Sequence, residues 1–330
     1  MSFLGMEAAL RVKGSKLMRL EQLVEWSKLK KLLGKLGRSG YGPGGYEAIK
    51  LLKALVLQSW YSLSDPKLEE ALRVRLDFML FTGFESEVPD ETTICRFRNL
   101  LIDLQLWEKL FKEINRQLSE RGLSLMPASS AIVDATIIES AARAGKETEG
   151  IVVDREEGSD AEVVMGETKL SCDPDARWLK KGKKSYFGYK AFIATDEVNG
   201  FIGHVEVLPA NVSEVSALDK AICGLKPRRV YADKGYSSFD NREMLKSKGI
   251  KNGIMYKATR NKELSKWQKL FNLLVSKRRY IVEQAFGTLK RRFNMTRATY
   301  MTLEKVKAEV QMKAIAFNLL KAVNLVQYST

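Results

Sequence analysis

The chain has 330 residues, 45% of them apolar, and its 55 Lys and Arg exceed its 40 Asp and Glu to leave a net charge of +15. This length and apolar share give one large or two ordinary folded domains and exclude a disordered chain, while the charge favours a polyanionic partner such as nucleic acid. Three scattered cysteines without C-x-x-C, and a single histidine, exclude a disulfide framework or zinc ribbon, and no apolar run approaches the ~20 residues that span a bilayer.

Apolar periodicity predicts helices through residues 1–125. Ile49, Leu52, Leu55 and Val56 recur at helical spacing within 48–60. Asp65-Pro66 supplies an N-cap and first-turn proline for a helix over 67–76. Pro89-Asp90 opens a third helix bearing Thr92, Thr93, Arg96 and Arg98. Short helices of this kind resemble a helix-turn-helix reader, in which those four side chains reach bases or phosphates. Most small helical bundles bind nothing, so this stretch alone leaves both readings level.

After residue 126 the pattern turns to strands. Asp134 stands inside the apolar run 131–138. A polar stretch over about 141–185 reads as an inserted loop, acidic early (Asp154, Glu156, Glu157, Asp160) and basic late (Lys180, Lys181, Lys183, Lys184). Its Trp178 can stack on an unpaired base. Strands over 187–195, containing Lys190, and 201–208, containing a structural His204, join through Asn199-Gly200, a hairpin signal, with Asp196 shaping the turn. The segment 211–214 resembles a capping box that starts a helix. A strand ends at Asp233, and Lys234 and Tyr236 follow closely enough to touch DNA. Next come a helix near 241–248 with Asp240 as its cap, a strand near 250–256, a long helix bearing Glu283, and a last amphipathic helix over about 303–323. Three antiparallel strands followed by two parallel ones make an α/β mixed sheet flanked by helices. This is a ribonuclease H-like domain over 126–330, behind an all-helical N-terminal domain over 1–125.

A carboxylate in the middle of a strand is costly to desolvate without a partner. Three such groups brought together repel one another unless a hard cation joins them, so Asp134, Asp233 and Glu283 read as oxygen ligands for Mg²⁺ or Mn²⁺. At about 100° per residue, Arg279, Glu283 and Lys290 fall within about 40° of one another, beside an apolar arc that can pack on the sheet. A surface helix with an ordinary Arg–Glu pair is the plain alternative.

Several fragments resemble the DDE transposases of bacterial insertion sequences, in the branch typified by insertion sequence five. They are Ser62-Leu63-Ser64-Asp65, Pro89-Asp90-Glu91-Thr92-Thr93, Phe187-Gly188-Tyr189-Lys190, Pro209-Ala210-Asn211-Val212 and Ala232-Asp233-Lys234-Gly235-Tyr236. The family signature Y-x2-R-x3-E-x6-K matches at Arg279, Glu283 and Lys290 and departs at Ser276, where Tyr280 can supply the missing ring. The resemblance implies that Asp134, Asp233 and Glu283 hold two divalent ions and carry catalysis, with Arg279, Lys290 and Arg291 on DNA phosphates. It further implies a cytoplasmic, nucleoid-associated homodimer that binds terminal inverted repeats, cuts double-stranded DNA and joins the 3′-OH ends to a target, with no membrane partner. A ribonuclease H-like nuclease without strand transfer, or a catalytically decayed DNA-binding protein, are the alternatives.

Overall fold

A computed structural model describes residues 12–34, 36, 45–84, 87–123, 130–143, 151–154, 162–165, 172–259 and 263–328. The acidic residues Glu156, Glu157 and Asp160 of the expected loop lie outside them. Among the described residues seven helices come first: α1 (Lys16–Leu23), α2 (Trp26–Leu33), α3 (Ala48–Tyr61), α4 (Asp65–Val74), α5 (Leu76–Thr82), α6 (Glu91–Asp103) and α7 (Leu106–Glu120). The Asp90 carboxylate caps α6 by accepting from the Thr93 N–H at 2.7 Å. At α4 the cap is Ser64 rather than Asp65, which turns instead toward Arg98.

The strands follow: β1 (Ala131–Glu139), β2 (Ile151–Asp154), β3 (Glu162–Met165), β4 (Arg177–Lys181), β5 (Lys184–Asp196), β6 (Ile202–Pro209), β7 (Arg229–Ala232) and β8 (Lys251–Ile254). The expected inserted loop is therefore partly structured: β2 and β3 pair antiparallel, and β4 pairs with the first residues of β5. The main sheet runs β6-β5-β1-β7-β8, with the first three strands antiparallel and β7 and β8 parallel to β1. This is the ribonuclease H-like order expected from the sequence. The β5–β6 turn is tied by Asp196, which accepts from the Val198, Asn199 and Phe201 N–H groups at 2.7–2.9 Å.

Helices cover both faces of the sheet: α8 (Glu214–Ala221) and α9 (Phe239–Ser247) on one, α10 (Lys266–Arg292) and α11 (Leu303–Tyr328) on the other. Ser213 caps α8 and Ser238 caps α9, in place of the expected 211–214 box and Asp240. Side chains alternate along β1, so Ala131 and Val133 enter the α8/α9 core while Ile132 and Ile138 enter the other.

The last helix departs furthest from expectation. Instead of having one polar face, as an amphipathic helix does, α11 is buried on nearly every side from Val306 to Leu320. It packs against β6 and also against α1, α3 and α7, so helices from both halves of the chain share one core. Its polar groups are satisfied from within. Lys313 donates to Glu309 at 2.7 Å, and the fully buried Asn318 exchanges hydrogen bonds with the backbone of Ile202 and with Asn115.

Candidate active site

Register decides where the first two acids meet. Val133 pairs with Ala232, so Asp134 and Asp233 follow at one level of neighbouring parallel strands. Alternation places Asp134 on the same face as Ile132, toward α10. At Asp233 the strand gives way to a 3₁₀ turn over Lys234–Tyr236, and the carboxylate accepts from the Lys234 N–H at 2.6 Å. The Asp134 carboxylate likewise accepts from the Ala135 N–H at 2.8 Å.

The third acid arrives on α10, whose Val275, Val282, Ala285, Phe286 and Leu289 pack inward and leave Glu283 and Lys290 exposed. One turn before Glu283, the Arg279 guanidinium donates to Asp134 at 2.6 Å and lies 3.8 Å from Asp233. Its Nε is buried without a partner. Burial works against the guanidinium charge, but Asp134, Asp233 and Glu283 outweigh it and hold the group more firmly protonated than in water. Asp134 and Asp233, from neighbouring strands, thus flank one cationic group, and Glu283, one turn further along α10, adds its negative charge to it from outside the contact.

Those donors suit a hard divalent ion: all are carboxylate oxygens, and the position among them already carries positive charge. Among the described residues no three acidic, Cys or His side chains lie close enough to share one ion. Beside the acids, a groove of about 580 Å³ is lined by Thr136, Lys181, Tyr186, Glu283 and Lys290. Lys181 entered the sequence reading only as part of the basic end of the loop, and Tyr186 was not singled out. Their only signal there was the run of lysines in what became the β4–β5 hairpin.

The remaining expected contacts divide sharply. Lys234, Lys290, Arg291, Thr92 and Arg96 are exposed, Thr93 is half-buried, and Trp178 is exposed on β4 with its ring 5.4 Å from that of Phe187. Arg98, Lys190 and Tyr236 are corrections. Arg98 is 3% exposed, pairs with Asp65, donates to Gln58 at 3.1 Å and stacks over Tyr300, so it ties α6 to its neighbours instead of reaching outward. Lys190 is buried and donates to the Val212 carbonyl at 2.9 Å. Tyr236 is fully buried in the α8/α9 core, where desolvation and the nearby Asp134 push its phenol well above the usual range. Tyr280 and Ser276 are both exposed on α10.

Comparison with known proteins bears on this constellation. The family described as "Transposase DDE domain" matches residues 127–319, more than half of the chain and all three acids. The chain belongs to the DDE transposases. A second family, "Transposase domain (DUF772)", matches residues 6–100 of this transposase. It is 45% identical over 230 residues to the transposase for insertion sequence element IS1106 of Neisseria meningitidis serogroup B, covering 69% of this chain and 77% of the relative. Solved structures resemble it loosely. A piggyBac transposase synaptic complex with hairpin DNA aligns at TM-score 0.47 and 11% identity, over 97% of this chain and 75% of that one. The Mos1 mariner paired end complex with Mn aligns at TM-score 0.21 and 13% identity, over 91% and 85% of the two chains. The family match, not these likenesses, carries the assignment. No helix among the described residues is long and apolar enough to cross a membrane.

Proposed function

We propose that this transposase, of the insertion sequence five branch, binds the terminal inverted repeats of its own element, cuts the ends and joins their 3′-OH groups to target DNA. The observation that supports the reading is the meeting of Asp134 and Asp233 on the Arg279 guanidinium, with Glu283 one turn away on the same helix. The three carboxylates would hold divalent metal, two Mg²⁺ or Mn²⁺ ions per site, which when bound supplies Lewis-acid activation of the attacking and leaving oxygens.

The chain's own groups do the rest. Strand β1 and the β7 turn fix the two aspartates on a rigid sheet, and α10 brings Glu283 to their side. Arg279 neutralises the aspartates in this structure, and with metal held by the carboxylates its guanidinium would be free to contact a DNA phosphate. Lys290, Arg291 and Lys234, all exposed around the site, contact the flanking backbone and set register without reading sequence. Thr92, Thr93 and Arg96 on α6 supply base and phosphate contacts to the repeats, within an N-terminal recognition and oligomerisation region spanning residues 1–125. Trp178 stacks on an unpaired base near the cut. Two copies act together, one per end, in the bacterial cytoplasm at the nucleoid.

Strand transfer of a pre-cut, 3′-OH-ended repeat oligonucleotide into a plasmid tests this function. Covalent joining in Mg²⁺ supports it. Hydrolysis of uncut ends without any joining would reassign the protein as a nuclease.

A further inference from the structure

The N-terminal half of α10 carries a second apolar face, beside the one packed on the sheet. Trp267, Leu270, Leu273, Leu274 and Tyr280 are each 53–60% exposed, with the Trp267 ring stacked 5.4 Å from that of Phe271 on the same helix. Trp267 and Leu274 lie seven residues apart, and Leu270 and Lys277 fall three residues after them, the a and d spacing of a coiled-coil seam; Ile281, seven residues further on, is half-buried against the core and ends it. Leu273 and Tyr280 flank it. At these exposures the five side chains present roughly 600 Å² per copy, which approaches the ~800 Å² per partner of a standard interface.

We propose that this face is the contact between two copies of the transposase, formed by antiparallel packing of their α10 helices about a two-fold axis. The register follows from the residues. In an antiparallel pair each a position faces a d position, so Leu270 of one copy meets Leu274 of the other, and Trp267 meets Lys277. The flanking positions set Leu273 against its own counterpart beside the axis and Lys266 against Tyr280. Both lysines on the face therefore lie over aromatic rings, where their charge is attracted rather than stranded. A parallel pair would instead set Lys277 against Lys277. The match is self-complementary, as a two-fold contact requires. DNA suits the face poorly, because its three leucines neither stack on bases nor donate to phosphate.

The surface rests on the homodimer reading above but moves the contact between copies from residues 1–125 to α10, and the test separates the two. Light scattering on the full chain, with and without a repeat duplex, should give a dimer mass at micromolar concentration. Leu270→Lys/Leu274→Lys should weaken dimerisation ~100-fold or more, with the melting temperature of the monomer retained. In a second variant, with Cys95, Cys172 and Cys223 replaced by Ser, Leu273→Cys should form a disulfide-linked dimer on mild oxidation. Lys246→Cys, more exposed still and on α9, should not. A wild-type chain that stays monomeric in both conditions overturns the homodimer and this surface together. A double-lysine variant that remains dimeric, or a Leu273→Cys chain that does not cross-link, overturns the surface alone. A double-lysine variant that dimerises normally but loses duplex binding assigns the face to DNA instead.

Discussion

Replacing Arg279 with Ala should expose the link between this side chain and metal. The guanidinium is 13% exposed and its partners Asp134 and Asp233 are 19% and 33% exposed, so the cluster is mostly but not wholly withdrawn from water. Breaking a fully buried pair costs about 3–5 kcal/mol, and partial screening here lowers that to about 2 kcal/mol. At about 2 °C per kcal/mol for a chain of this size, the metal-free variant should melt about 4 °C below wild type. The sign of the metal effect is opposite. A divalent ion entering the wild-type site must first displace the guanidinium, so the variant should bind Mg²⁺ about 30-fold more tightly in the absence of DNA. Thermal melts in EDTA and across a MgCl₂ titration test both statements. The variant should start lower, respond at lower Mg²⁺, and close most of the gap. An equal deficit at every Mg²⁺ concentration would refute the idea that Arg279 occupies the position of the ion.

Four further outcomes follow from the placement of the charged and aromatic groups. Lys290→Ala should weaken end binding and reduce the log–log salt slope by about 1, measured by fluorescence anisotropy between low and moderate salt. Arg98→Ala should lower stability by about 3 kcal/mol, since it strands Asp65 beside a buried gap. Arg96→Ala should stay within about 0.5 kcal/mol of wild type yet lose preference for the repeats. Tyr280→Ala, which removes the ring set against Lys266 of the second copy, should weaken dimerisation and with it slow end processing or strand transfer, whereas Ser276→Ala and Ser276→Tyr should leave single-turnover rates within about twofold, because position 276 is open to solvent.

The sheet was legible because its signals are local. Alternation in β1, β5 and β6, Asn199-Gly200 at the turn, and acids set in or ending apolar runs all lie within a few residues of what they determine. That Arg279 and Glu283 share one side of α10 was also legible, since helical geometry places them one turn apart. What remained hidden depends on partners far along the chain. Arg98 reads as a free cation until Asp65 and Tyr300 close around it. Asp134 lies 145 residues before the arginine that neutralises it. The last helix looked amphipathic because Glu309, Lys313 and Asn318 are polar, yet each is satisfied inside the core. The apolar half of α10 was masked for the opposite reason: with apolar residues on two faces, its pattern does not separate the packed side from the free one.

The measurement closest to the central claim is cleavage of a repeat-bearing duplex in Mg²⁺ by wild type and by Asp134→Ala, Asp233→Ala and Glu283→Ala. Each substitution removes a carboxylate from the group around Arg279 and should cut the rate by about a thousandfold or more. End binding should stay within about threefold, because phosphate contacts supply most of the affinity. A variant that retains near wild-type cleavage would contradict the assignment of that residue, and with it the claim that these three acids form the catalytic centre.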